Sequence, residues 1–223
     1  MTAKRCQQTL VFLMLMSPSS CTTAQLMGKS SAYAVVDALA AASGAEPEKF
    51  SGSLASDVVT FASRTSADGT AVPVASRVED PARVTMHLQL KDPGTPGKPT
   101  SPSPANAITF SRYRVTYIRS DGRNVQGVDV PYGFDGGITV TVAGAQEVTS
   151  DFVLVRAQAK NEAPLRALAL PRDSDGQIAG VPGGAIIIST IANVVFYGVD
   201  QAGRAVTAAA WITVTFADWA DPA

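Results

Sequence analysis

From Val206 to Phe216 the chain alternates without a break. Val206, Ala208, Ala210, Ile212, Val214 and Phe216 share one phase, and Thr207, Ala209, Trp211, Thr213 and Thr215 share the other. A period of two is the spacing of a strand with one face buried and one face wet. The same rhythm sets Val84, Met86, Leu88 and Leu90 against Thr85, His87, Gln89 and Lys91, and Ile138, Val140 and Val142 against Thr139 and Thr141. Parallel strands are usually covered on both faces, so half-wet strands point to antiparallel sheets. The expected fold class is all-β.

Asn106 to Arg119 (NAITFSRYRVTYIR) carries a break in phase. Ile108 and Phe110 are even, whereas Tyr113, Val115 and Tyr117 are odd. A β-bulge at Ser111-Arg112 lets both sets face one core, and leaves Arg112, Arg114 and Arg119 on the outer face. Ala185 to Asp200 and Arg204 to Phe216 read as a hairpin, because Gly203 in the joining turn can take positive φ. Asp151–Ala157 reads as a further strand and Asp57–Arg64 as a short edge strand. Ser31–Ser43 fits either a helix or a strand, with the strand preferred, and Lys160–Leu170 fits a helical turn. Asp92 to Pro104 holds five of the 14 prolines. It is expected to be a loop inside one domain if its flanking strands pair, since neither strand alone makes a core.

The first residues read as an address. Lys4 and Arg5 precede the apolar run Thr9–Met16, and Ser17-Pro18 ends it. The run is shorter than the ~20 apolar residues a bilayer span needs, and matches an export signal. Two processing routes fit. Cys21, after Ser19-Ser20, suits lipidation as the first residue of a bacterial lipoprotein, although Pro18 stands where an aliphatic residue is usual; cleavage after a small residue such as Ala24 is the other. The expected layout is a signal peptide over 1–20, a flexible tether over 21–30 and a β-sandwich domain over 31–223. Removing Cys6 with the signal leaves one cysteine, so no intrachain disulfide can form.

Two stretches resemble known modules. Ile108–Arg119 (ITFSRYRVTYIR) resembles the third strand of fibronectin type III domains, and Val195–Ala208 (VFYGVDQAGRAVTA) the last hairpin of fibronectin-like and bacterial Ig-like modules. With its leader, the chain resembles a bacterial lipoprotein with one Ig/fibronectin type III-like sandwich. The resemblance implies about seven to eight antiparallel strands with long inserted loops, and implies no activity. Two departures are the extra length, in Asp92–Pro104, Ser120–Gly137 and Lys160–Gly184, and the missing cysteine pair of antibody domains.

Composition narrows the chemistry. With 18 Lys+Arg against 19 Asp+Glu, there is no cationic excess for nucleic acid. One His and two Cys cannot complete a Cys/His zinc site. His87 falls on the wet phase, and no Gly-x-Ser-x-Gly elbow accompanies it. Asp173-Ser174-Asp175-Gly176 opens like a calcium loop, but Gln177–Pro182 supply no carboxylate, so a surface turn is expected. Only five Glu are present, with no sign of a two-acid glycosidase pair. No catalytic, cofactor or metal site is expected, and the chain is not read as an enzyme. The candidate contacts are Trp211 on the wet phase, Trp219 beyond it, and Tyr132 and Phe134 in the loop DVPYGFDGG. Exposed aromatics stack on sugars or anchor protein partners; burial as loop plugs, or a loop over Trp211, is the competing expectation. The expected role is a non-enzymatic envelope module, structural or partner-binding, lipid-anchored at the outer membrane or in the periplasm. The alternatives are a carbohydrate-binding module and a soluble secreted form. The expected partners are the membrane through lipid, then envelope proteins or polysaccharide.

Overall fold

The period-two segments pair into two sheets. The computed structural model describes residues 29–65, 67, 69, 71–172, 178–180, 184 and 186–219. The leader, Cys21, most of the tether and the Asp173–Gly176 turn lie outside these residues. Among those described, the strands are β1 Ala32–Ala41, β2 Ser53–Asp57, β3 Thr60–Thr65, β4 Ala71–Ser76, β5 Asp80–Leu90, β6 Gly94–Thr95, β7 Lys98–Pro99, β8 Ile108–Ile118, β9 Phe134–Val142, β10 Val148–Val155, β11 Ile188–Asp200 and β12 Ala205–Ala217; helix α1 spans Ala157–Asn161. A three-stranded sheet runs β1-β5-β10 and a five-stranded sheet runs β2-β12-β11-β8-β9. Ladders in both are antiparallel except β2 on β12. The chain is an all-β sandwich, with one buried cluster drawing Val84, Met86 and Leu88 from one sheet and Phe110, Val115, Phe196, Val214 and Phe216 from the other.

The bulge in β8 sets the core. Pairing with β9 shifts between Phe110 and Arg112, and pairing with β11 shifts between Tyr197 and Gly198. Phe110 and Tyr113 both point inward, while Ser111, Arg112 and Arg114 stay exposed. Gly198 makes the bulge possible. A methyl group there would sit 2.4 Å from the Thr109 carbonyl oxygen and 2.9 Å from the Phe110 α-carbon, closer than packed atoms allow. Inward, the rings of Tyr113 and Phe196 meet that of Phe152 edge-on, at centroid distances of 4.8 and 5.4 Å, a favourable aromatic geometry. The Tyr113 hydroxyl donates to the Val153 carbonyl at 3.0 Å and the Tyr117 hydroxyl to the Leu154 carbonyl at 2.7 Å. The five-stranded sheet thus hydrogen-bonds across the core to β10. Burial pushes both phenols above their ordinary pKa, so they remain donors.

Two expectations need correction and a third is incomplete. Asp57–Arg64 is not one strand. The Asp57 carboxylate accepts the Val59 N–H at 3.4 Å and the Thr60 hydroxyl at 2.8 Å. Such local capture turns a chain; here β2 ends, Val58 and Val59 are buried, and β3 leaves to pair with β4. The strands flanking the Pro-rich segment do not pair, because β5 and β8 lie in opposite sheets. The segment crosses between sheets and folds on itself through the small ribbon β6–β7, where Gly94 has φ of 77°. The helical turn expected within Lys160–Leu170 is there, as a 3-10 turn over Leu165–Leu168, but it is not alone, since α1 over Ala157–Asn161 precedes it.

The two faces of β12 should differ in energetic weight. Ile212 is buried at 3% exposure and Thr213 is exposed. Ile212→Ala is expected to cost about 2–5 kcal/mol and Thr213→Ala within about 0.5 kcal/mol, read as urea midpoints at constant slope. Equal losses would mean that both faces of β12 are covered.

Candidate functional site

The outer face of the five-stranded sheet is built from the wet phases of β12, β11 and β8. Register places Trp211 opposite Asn193, and Asn193 opposite Thr116. The next row is Thr213, Ile191 and Ile118. Trp211 is 65% exposed, Ile118 44% and Ile191 42%, so an apolar patch lies open on a sheet whose other face already forms the core. Apolar surface gathered this way marks interaction sites. Towards one end, Arg112 lies over the Tyr197 ring at 4.3 Å, and Arg112 and Arg114 both approach Asp135, at 3.3 and 3.5 Å. Two guanidiniums share one carboxylate there.

The four candidate aromatics do not form one group. Phe134 is buried at the start of β9, edge-on to Tyr113 at 6.1 Å and under the Arg156 guanidinium at 4.4 Å; it offers no surface to a partner. Trp219 lies past the end of β12. Ala217, where β12 ends, is already about 20 Å along the strand from Trp211. The Trp219 backbone N–H donates to Asp57 Oδ1 at 3.2 Å, and the buried Trp219 indole N–H has no acceptor among the described residues. Tyr132 is half-exposed, with its ring against Gly127. It precedes Gly133, where a methyl group would lie 3.2 Å from Thr116 Cγ2. Trp211 and the backbone at Tyr132 therefore flank one row, three strand spacings or about 14 Å apart. Beside Trp211, the Asn193 side-chain oxygen is screened from water and has no partner among the described residues.

Two hollows lie at or below the lower end of the size range of small-molecule sites. That lined by Arg119, Asp129, Leu168 and Ile188 holds about 310 Å³, and that beside Trp219 about 140 Å³. Small-molecule sites run from about 300 to 1,000 Å³.

Two charged sites lay beyond sequence reasoning. His87 is on the outer face of the three-stranded sheet as expected, but it is paired: Nδ1 lies 2.7 Å from Asp37 Oδ2 and Nε2 lies 3.1 Å from Gln89 Oε1. Both ring nitrogens are occupied, neither by a hydroxyl nucleophile. The other site is wholly buried. Lys160 Nζ is 2.7 Å from Asp80 Oδ1, with exposures of 1% and 0%. Ser56 donates to Asp80 Oδ2 at 2.6 Å, and the Gly44 N–H donates to Oδ1 at 2.8 Å. The signal for Asp80 was its position in phase with Val84, Met86 and Leu88, which aims a carboxylate inward; nothing in the sequence named Lys160 as its partner.

No protein-family model, curated protein or solved structure matches this chain.

The His87 contact has a definite pH dependence. Hydrogen bonding to Asp37, and then to Gln89, holds its pKa above the ordinary value of 6.5. A raised folded-state pKa gives stability that is full below the unfolded value and is lost as pH rises through the folded value. His87→Gln should therefore lower the denaturation midpoint most below about pH 6.5, by less than about 1 kcal/mol for so exposed a pair. The gap should close in alkaline buffer. A gap that widens with pH would contradict the pairing.

Proposed function

We propose that this chain is a non-enzymatic envelope module, an Ig/fibronectin type III-like sandwich exported by its leader, anchored through lipid on Cys21, and bound to a protein partner through the outer face of the five-stranded sheet. The observation that carries the binding reading is the exposed Trp211, with exposed Ile191 and Ile118 in the next row on the two neighbouring strands. Tryptophan is prominent among residues that carry interface binding energy, and leaving this patch in water has no structural purpose within the sandwich. The pairing of β8 with β11 favours the module type, since the two family-like stretches are neighbours in one sheet. The anchor reading rests on Cys21 behind a short apolar run, and two acyl chains make membrane attachment stable.

A carbohydrate-binding module is the second reading. The exposed rings of Trp211 and of Tyr132, at the far end of the same row, favour it: open aromatic faces suit stacking on a sugar ring.

Two measurements separate these readings. Metabolic labelling with an alkyne fatty acid should mark the wild-type protein and leave Cys21→Ser unmarked; equal labelling of both would remove the anchor. In native affinity electrophoresis through envelope polysaccharides, the protein-partner reading expects no retardation. Retardation abolished by Trp211→Ala, with the fold intact by circular dichroism, would replace it with the carbohydrate reading.

A further inference from the structure

The buried Lys160–Asp80 pair plays no part in the binding face, and it holds an amine and a carboxyl group in contact away from water. We propose that Lys160 and Asp80 condense in the folded protein to an intramolecular amide, a permanent cross-link between α1 and the first residue of β5.

Three features support this. The site is dry: Lys160, Asp80 and Ser56 are at most 1% exposed. An ion pair taken out of water loses solvation that its own attraction only partly returns, whereas the amide is neutral and releases a water molecule. The carboxyl group is held on both oxygens, Oδ1 by the Gly44 N–H and Oδ2 by the Ser56 hydroxyl, with the amine on the Oδ1 side at 2.7 Å. Finally, burial raises the Asp80 pKa above the usual carboxylate range, even against the lowering effects of Lys160, Ser56 and Gly44. That shifts the Asp80 carboxyl group towards its neutral form, the one an amine attacks.

The step balances without an oxidant or cofactor. The Lys160 Nζ lone pair forms the bond to Asp80 Cγ. Oδ1 takes the developing negative charge, facing the Gly44 N–H, as backbone donors do for tetrahedral intermediates. The Cγ–Oδ2 bond breaks with its electron pair on oxygen, assisted by the Ser56 hydroxyl. Oδ2 leaves as water with two of the three ammonium protons, and the third remains as the amide N–H. The product closes a loop between residues 80 apart in sequence. A covalent tie of that span restricts the unfolded chain as a disulfide would, in a protein whose mature form has one cysteine to offer.

Tryptic mapping of the purified, denatured full chain tests the proposal. A free Lys160 permits cleavage after it and yields Ala157–Lys160, with Asp80 in Val78–Arg83. The cross-link blocks that cut and joins Val78–Arg83 to Ala157–Arg166 in one branched species, lighter than their sum by one water. Lys160→Arg, which keeps a cation but cannot form this amide, should lack the branched species and melt at lower denaturant. Asp80→Asn should still form it, losing ammonia in place of water. Mild acid gives an independent readout, because Asp–Pro bonds break through the free aspartyl side chain. Asp92–Pro93 should cleave while Asp80–Pro81 resists. A wild-type map dominated by free Val78–Arg83 and free Ala157–Lys160, or equal acid cleavage at both bonds, would overturn the proposal whether or not either variant folds.

Discussion

The two sheets are pinned together by one carboxylate. Asp80 opens β5 in the three-stranded sheet and is fully buried. Its oxygens meet the Gly44 N–H beyond the end of β1, the Ser56 hydroxyl from β2 in the opposite sheet, and the Lys160 ammonium from α1 after β10. Segments far apart in the chain converge there, and each satisfies a different part of one charged group. As an ion pair, before the proposed condensation, such a cluster adds little net stability over well-packed apolar residues, but removing one partner strands a buried charge at a cost of about 3–5 kcal/mol. Its structural effect is specificity. β2 is placed where it continues the five-stranded sheet, parallel to β12, and α1 is held against the corner that β1, β2 and β5 share.

At the middle of the sandwich a backbone irregularity serves the same end. An unbroken β8 has only one inward phase, and either Phe110 or Tyr113 would face water. The bulge at Ser111-Arg112 turns both inward, and Gly198 on β11 gives the space for it. The consequence reaches the other sheet, because the inward tyrosines hydrogen-bond to the β10 backbone. Polar contacts therefore cross the core near β8 as well as at Asp80, with the aromatic cluster between sheets filling the space by edge-on packing.

Much of this was legible in sequence where physics is local. The phase flip in ITFSRYRVTYIR located the bulge to the residue, and the β11–β12 hairpin followed from alternation around a Gly-containing turn. The break at Asp57 was not legible, since the strand-favouring β-branched and aromatic residues of DVVTF run straight through it while the carboxylate captures two downstream donors. Nor was the pairing of Phe134 with Tyr113: the loop DVPYGFDGG reads as one unit, yet Phe134 already belongs to β9 and Tyr132 does not. Asp80 was half legible. A carboxylate on the inward phase of an apolar strand announces a buried partner, but which cation arrives there depends on tertiary folding over 80 residues of chain.

The same alternation produces two outer faces that differ in what they leave unsatisfied. On the three-stranded sheet, cross-strand partners answer one another: Arg83 with Asp151 at 2.7 Å, Thr85 with Thr149 at 3.1 Å, His87 with Asp37 at 2.7 Å. Such pairs contribute modestly to the sheet and leave a face that water solvates well. On the five-stranded sheet, Thr109 with Thr141 and Ser189 with Thr215 do the same towards its margins, at 2.9 and 2.8 Å. Between them, the rows of Trp211 and Ile191 have apolar groups where the other sheet has partnered polar ones. Surface apolar residues scattered singly need no explanation. Adjacent rows of them, on the face where cross-strand polar pairing is interrupted, do need one, and the partner proposed for Trp211 would supply it by removing that apolar surface from water.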